Sequence, residues 1–181
     1  MPRVSAVPYS KMDPEPKAIV HASDEALNGS EWVQYFCHPK ELYKSFVKFY
    51  YDHVATEEYG ISWKLSEMMR HMVAVHNTCT SAREQGLTDE MVAAIPKFRE
   101  STLFTPAEKA ALGLANAMAG DHKQAPYDEI FADLRKYYSE EQIVALGWKT
   151  GICLGYGRLV HALDVPAVGE SCSIPLKAAS G

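Results

Sequence analysis

The sequence has few of the features that mark nucleic-acid-binding or membrane-spanning chains. Its 181 residues include 18 basic and 23 acidic side chains, with a formal net charge of -5 and no basic stripe. Proteins that bind nucleic acid use such a stripe to displace counterions from phosphates. The chain also has no apolar run close to the ~18 residues that cross a bilayer. We therefore expect neither nucleic-acid binding nor membrane insertion.

Signs of secretion and of metal binding are also scarce. Prolines and charges interrupt the N-terminal segment where a signal peptide needs a continuous apolar stretch, so we expect a cytoplasmic protein. Its four cysteines are then expected to stay thiols, and they have neither the close pairing nor the spacing of a metal knuckle. The seven histidines form no compelling ligand motif with a carboxylate. We predict no bound metal and no cofactor.

Strand patterns are missing as well, whereas helical patterns recur. No segment alternates apolar and polar residues for long enough to predict a strand. Thr105, Pro106 and Glu108 have the pattern of a capped helix start, and Ser139 with Gln142 caps another helix. The sequence therefore predicts an all-α fold, a compact bundle of about six or seven helices.

The distribution of prolines sets the expected domain boundaries. Prolines interrupt residues 1–22, which we predict to form an irregular arm. A chain of this length forms one domain with a real core more readily than two. We expect a single helical domain over residues 23–165 and an irregular tail over residues 166–181.

Glycines recur at close intervals in the last predicted helix, at Gly147, Gly151, Gly155 and Gly157. In a helix, each of them costs ~1 kcal/mol relative to alanine. We therefore expect another backbone to approach this helix closely.

Reactive residue types concentrate between Trp63 and Glu90. This stretch contains an acid, two histidines, a cysteine and an arginine, namely Glu67, His71, His76, Cys79 and Arg83. In one continuous helix, Glu67 and Cys79 would lie ~18 Å apart along the axis. If the helix breaks near Asn77, Cys79 enters the first turn of a new helix, where unpaired amides lower a thiol pKa. The sequence leaves both alternatives open.

The same stretch resembles a known enzyme core. The run EMMRHMVAVHNTC, from Glu67 to Cys79, is similar to the core of the alkylhydroperoxidase D-like and carboxymuconolactone decarboxylase superfamily. In that core a glutamate precedes an Asn-x-Cys-x-x-Cys motif. The segments GLTDEMVAAI, TPAEKAALGLANAMA and SEEQIVALGWKTG resemble later family segments, so the resemblance spans about Pro39 to Val165. It implies an alkylhydroperoxidase D-like fold and homo-oligomers, commonly trimers or hexamers, or else a dimer.

The peroxidase branch of this superfamily uses two cysteines. One thiolate attacks the peroxide, the other resolves the sulfenic acid, and the glutamate and a histidine relay protons. The resemblance assigns the acid to Glu67 and the first cysteine to Cys79, but Ala82 stands where the second belongs. An oxidised Cys79 therefore needs an outside thiol, or Cys153 if the fold brings it close. We expect a single-cysteine enzyme of peroxidase or thiol oxidoreductase type that acts on a small molecule, with His76 as the base.

The decarboxylase branch offers an alternative, although Thr78 occupies its histidine position. A cofactor-independent lyase, decarboxylase or isomerase acting on a small oxo-acid or lactone would use His71 or His76 as the general acid/base. Arg70 or Arg83 would hold a substrate carboxylate. A third alternative is a non-catalytic member of the superfamily that binds a ligand or serves assembly.

Overall fold

The computed structural model describes residues 2–25, 31–77 and 86–165. In these ranges the backbone forms eight α-helices and no strand, which confirms the predicted all-α class. The helices are α1 (Pro14–Glu25), α2 (Glu31–Phe36), α3 (Lys40–Phe49), α4 (Trp63–His76), α5 (Asp89–Ala94), α6 (Pro106–Ala119), α7 (Tyr127–Leu134) and α8 (Glu140–Leu163). None of the helices in the described ranges has the length and apolarity needed to cross a membrane.

The described residues divide into two compact units. The first holds the residues up to Thr56 and those from Arg158 onward, and the second runs from Glu57 to Gly157. The predicted single domain over residues 23–165 stays a prediction. The predicted tail, residues 166–181, lies outside the described residues.

The first unit contains α1, α2, α3 and the end of α8. Arg3 joins the chain start to that end, because its backbone amide donates to the Leu163 carbonyl at 2.9 Å and its guanidinium to the Ala162 carbonyl at 2.9 Å. After α3 the chain continues directly into a π-helical turn, Tyr50–Val54.

Residues 14–22 differ from the predicted irregular arm, because they belong to α1. Pro14 is the first residue of this helix and Pro16 is the third. Amides in the first turn have no intrahelical partner, so proline removes no hydrogen bond there, and its fixed φ suits the helix. The prolines therefore mark the start of a helix rather than its absence.

The second unit is built around α4 and α6. Its core contains large, fully buried side chains, among them Ile61, Met68, Met69, Met72, Ile95, Leu112, Leu134 and Leu146. The helix starts predicted at Thr105 and Ser139 are confirmed, and Ser62 caps a third helix. Ser62 accepts from the Leu65 amide, Thr105 and Glu108 form a reciprocal capping box, and the Gln142 amide donates to Ser139 Oγ.

The glycines of α8 do not all have the predicted neighbours. An alanine Cβ built at Gly157 would lie 2.6 Å from Asn77 Nδ2, so Gly157 makes room for a side chain rather than for a backbone. At Gly147 and Gly155 no described atom lies within 4 Å of such a Cβ. The expected backbone contact is therefore wrong at these positions within the described residues, and the close approach is specific to Asn77.

Because Gly155 and Gly157 have different surroundings, we predict that alanine at the two positions changes stability differently. Gly155→Ala should raise the free energy of unfolding by about 0.5–1 kcal/mol, because alanine loses less entropy than glycine in a helix. Gly157→Ala should forfeit that gain, since its methyl group displaces Asn77. Urea unfolding measures both, and Asn77→Ala should restore the gain to Gly157→Ala. Equal stabilisation by both variants in the presence of Asn77 would contradict the contact.

Glu108 should make the stability of α6 depend on pH. Burial raises the pKa of this carboxyl, but the hydrogen bonds from Lys64 and Thr105 outweigh burial and hold it below its ordinary value of 4.5. A carboxylate with a lowered folded pKa stabilises above the unfolded pKa, and the effect is lost as pH falls through the folded pKa.

Glu108→Gln keeps the capping oxygen and removes the charge. We expect it to be less stable than the parent protein at pH 7, with the difference shrinking as the pH falls below 4.5 in urea-unfolding series. Glu100→Gln removes a charge from an exposed residue and serves as the matched control. If the stability difference between Glu108→Gln and the parent protein stays constant over the acid range, the lowered pKa of Glu108 is refuted.

Candidate functional site

Helix α4 ends at His76, which contradicts one of the two alternatives left open by the sequence. The other alternative, in which Cys79 enters the first turn of a new helix, concerns residues outside the described ranges. Asn77 is its C-cap, with φ −82° and ψ 4°, and its amide donates to the Val73 carbonyl at 2.9 Å. One continuous helix from Trp63 to Gln85 is therefore excluded. The predicted site residues Cys79 and Arg83 lie outside the described residues, so their roles stay predictions.

The acid of the predicted site is bound to a neighbouring arginine. Glu67 and Arg70 lie one turn apart on α4, and two guanidinium nitrogens reach the carboxylate. Arg70 Nε lies 3.1 Å from both Glu67 oxygens, and Nη2 lies 2.7 Å from Oε2. The two side chains are only 7% and 14% exposed. Such a bidentate pair is strong and directional, so it fixes the carboxylate as an acceptor.

The two histidines of α4 have different surroundings. His71 lies one turn after Glu67 and is buried, with 7% of its surface exposed. His76 is exposed, and its Nε2 lies 2.9 Å from Asn116 Oδ1 on α6. The His76 ring also packs against Gly120, where an added Cβ would lie 3.1 Å from Cε1. Of the two, His76 is the histidine that α6 orients at the end of α4.

Helix α8 brings a second thiol and a buried amine to this region. Lys149 is 4% exposed, and Cys153 follows it by one turn. Burial lowers the pKa of Lys149. Burial is the largest effect on Cys153 and raises the pKa of its thiol to about 11. The charge of Glu67 also raises this pKa, whereas the charges of Arg70 and Lys149 lower it. Some of the Cys153 surface is exposed, although its thiol is enclosed by protein.

Glu67, Arg70, Lys149 and Cys153 therefore form one electrostatic cluster between α4 and α8. The charges of Glu57 and Glu58 also act on Lys149 and raise its pKa, so carboxylates surround both cations of this region and it has no excess positive charge. Desolvation keeps Cys153 protonated at neutral pH. Cys153 is thus poorly suited to be the attacking thiolate.

The sequence predictions omitted Lys149 from this site and included Cys153 only conditionally. A signal was available, because Lys149, Cys153 and Gly157 follow each other at intervals of four along α8 and share one face. The sequence alone could not decide that this face is turned inward.

Comparisons with known proteins place the chain by its fold. No protein-family profile matches it. An uncharacterised protein of Bacillus subtilis, YdfG, is 27% identical over 99 residues, which cover 50% of this chain and 67% of YdfG.

Solved structures are more informative. The debrominase Bmp8 superimposes with a TM-score of 0.76 in a cysteine-to-alanine variant bound to 2,3,4-tribromopyrrole, at 20% identity and 92% coverage of both chains. The chain has an alkylhydroperoxidase D-like fold. The same fold is found in ATU0492 of Agrobacterium tumefaciens, a protein of unknown function considered an antioxidant defence protein AhpD, with a TM-score of 0.59, 21% identity and coverage of 72% of this chain and 92% of that one. The alkylhydroperoxidase D-like fold implied by the resemblance between about Pro39 and Val165 is thereby confirmed.

Because the pKa of Cys153 is raised, we predict that its thiol is alkylated slowly and that the rate rises with pH throughout the range below this pKa. Between pH 8 and 10 the iodoacetamide rate at Cys153 should rise about tenfold per pH unit, because only the thiolate reacts. Lys149→Met should slow the reaction further, since it removes a charge that lowers the pKa. Peptide mass spectrometry reads each cysteine separately, and the urea-unfolded chain is the control. A rate at Cys153 that levels off near pH 9 in the folded protein would contradict the burial of this thiol.

Proposed function

We propose that the protein is a thiol-dependent oxidoreductase that reduces a small electrophilic molecule, with Cys79 as the attacking thiol. The observation that carries the proposal is the end of α4 at His76 and Asn77. Cys79 follows Asn77 by two residues, so chain geometry keeps their Cα atoms within about 7 Å. Asn77 in turn contacts Gly157, one turn beyond Cys153 on α8. This arrangement supports thiol chemistry beside the charged cluster.

His76 is the proposed base for Cys79. Its Nε2 faces the acceptor Asn116 Oδ1, which favours the tautomer with the proton on Nε2 and leaves Nδ1 as the acceptor. Nδ1 can then take the proton of a thiol. The Asn116 contact has the role of the group that orients a catalytic histidine in other nucleophilic sites.

The cluster of Glu67, Arg70 and Lys149 has the complementary role. Attack of a thiolate on a peroxide forms an S–O bond and breaks the O–O bond, and the leaving alkoxide takes a proton. Its negative charge would be stabilised by the cations Arg70 and Lys149. The resulting sulfenic acid needs two thiols to return to Cys79, which an external dithiol supplies with release of water.

Reductive dehalogenation is a second candidate for the same thiol. In that reaction the thiolate takes a halogen from carbon, the carbanion takes a proton, and a second thiol yields a disulfide and a halide ion. Bmp8 is a debrominase, and its similarity to this chain extends over 92% of both proteins. The cations Arg70 and Lys149 would serve either reaction, because both generate an anion.

The lyase alternative has less support. Two donor nitrogens of Arg70 already face Glu67, so this arginine is poorly placed to hold a substrate carboxylate as well. The buried His71 has little contact with solvent. Homo-oligomers and a cytoplasmic location stay predictions from the resemblance and from the sequence.

Thiol-dependent turnover tests the proposal. The full-length protein is incubated with dithiothreitol and either cumene hydroperoxide or 2,3,4-tribromopyrrole, and peroxide loss or bromide release is measured. We expect Cys79→Ala to abolish turnover and His76→Ala to reduce it about 10²–10⁴-fold, as for loss of a general base. Cys37→Ala, in the first unit, is the matched control and should keep full activity.

Other outcomes separate the alternatives. Activity on a lactone or oxo-acid that survives Cys79→Ala but not His76→Ala would replace the proposal by the lyase. Folded protein without dithiothreitol-dependent turnover of either substrate would refute both thiol reactions as assigned.

A further inference from the structure

The first unit contains a cavity that is separate from the cluster between α4 and α8. A cavity of about 210 Å³ lies where the segment before α1 meets the start of α3. Its lining residues are Val7, Lys11, Met12, Asp13, Pro16, Cys37, His38, Lys40 and Lys44. This volume is several times the ~30 Å³ of one water molecule, so the cavity has room for a small organic molecule.

Charge is distributed unevenly around this cavity. Three lysines and one aspartate line it, and Glu15 and Glu41 both pair with Lys44. The three carboxylates equal the three lysines in number, but they are not shared evenly among them. Lys40 Nζ lies 3.1 Å from Asp13 Oδ1, and Lys44 Nζ lies 3.3 Å from Glu15 Oε2. For Lys11, no carboxylate of the described residues is within ion-pair distance. The exposed ion pairs contribute little, so an entering anion can exchange with them.

The rest of the wall is apolar and held in place. Val7, Met12, Pro16 and Cys37 offer no charge, and Met12 and Cys37 are each 5% exposed. The Val7 amide donates to the Gln34 carbonyl at 2.9 Å, and His38 Nε2 donates to the Ser5 carbonyl at 2.6 Å. These two bonds fix the first segment against the chain before α3. The cavity thus pairs a cationic rim with a preformed apolar wall.

We propose that this cavity binds a small organic anion, with the anionic group at Lys11 and Lys40 and the apolar part against Val7 and Met12. Lysine ammonium groups are point charges suited to phosphate and carboxylate oxygens. Lys11 has no carboxylate partner among the described residues, and Lys40 can exchange its pair with Asp13 for the phosphate or carboxylate group of the ligand. A ligand pocket with an apolar wall and a few convergent charges has this general composition. The proposal is independent of the thiol chemistry.

Binding of phenyl phosphate to the full-length protein tests this site. Amide chemical shifts in NMR titration should change at Val7–Asp13 and Cys37–Lys44, with a Kd on the order of 1 mM for so small a ligand. Phenol and inorganic phosphate each supply one half of the probe, and both should bind at least fivefold more weakly. Benzene-1,2-dicarboxylate, a second dianion, should compete with phenyl phosphate.

Lysine variants locate the charge that binds. Lys11→Met and Lys40→Met should each weaken phenyl phosphate about fivefold to tenfold, as for loss of one charged contact. Lys48→Met is the matched control, because Lys48 is also on α3 but pairs with Asp52 and does not line the cavity. It should change the Kd less than twofold.

Two results would overturn the proposal. One is an equal increase in the Kd of phenyl phosphate for Lys11→Met, Lys40→Met and Lys48→Met, which would indicate non-specific electrostatic attraction. The other is inorganic phosphate binding as tightly as phenyl phosphate, which would leave the apolar wall without a role. Circular dichroism and thermal unfolding establish that each variant is folded before its Kd is compared.

Discussion

The ion pair between Glu67 and Arg70 is the interaction on which the region between α4 and α8 depends. Both side chains are almost buried, so each charge has lost most of its hydration and relies on the other. The pair supplies the opposing charges that act on Cys153, together with Lys149 on the facing helix. A buried ion pair that loses one partner leaves an uncompensated charge, so the cluster behaves as one unit. Changes at any member should be interpreted through the others.

Local signals were sufficient to predict most of the helical architecture. The capping boxes at Thr105 and Ser139 each need only a hydroxyl and an acid or amide three residues later, and both are formed. The prolines near the N-terminus led to a wrong prediction of irregular structure, because proline disrupts the interior of a helix but suits its first turn. At Pro14 and Pro16 it starts a helix, and only the following residues decide whether the helix continues.

The candidate site was predicted in part, for a physical reason. Glu67 and His71 belong to one helix, and their burial on one face follows from its period. At the end of α4, Asn77 packs against Gly157, 80 positions later in the chain, where this glycine leaves space for the amide side chain. Whether Lys149 belongs to the candidate site likewise depends on which face of α8 is turned inward. Long-range packing of this kind has no local sequence signature.

Helix α8 belongs to both compact units, since it begins in the second and its residues from Arg158 onward count with the first. A cut between Gly157 and Arg158 would sever the hydrogen-bond ladder of a continuous helix and expose unpaired amides and carbonyls at both new ends. Separating the unit that holds Lys11 and Lys40 from the unit that holds Glu67 and Arg70 therefore breaks α8, so both units depend on one uninterrupted helix.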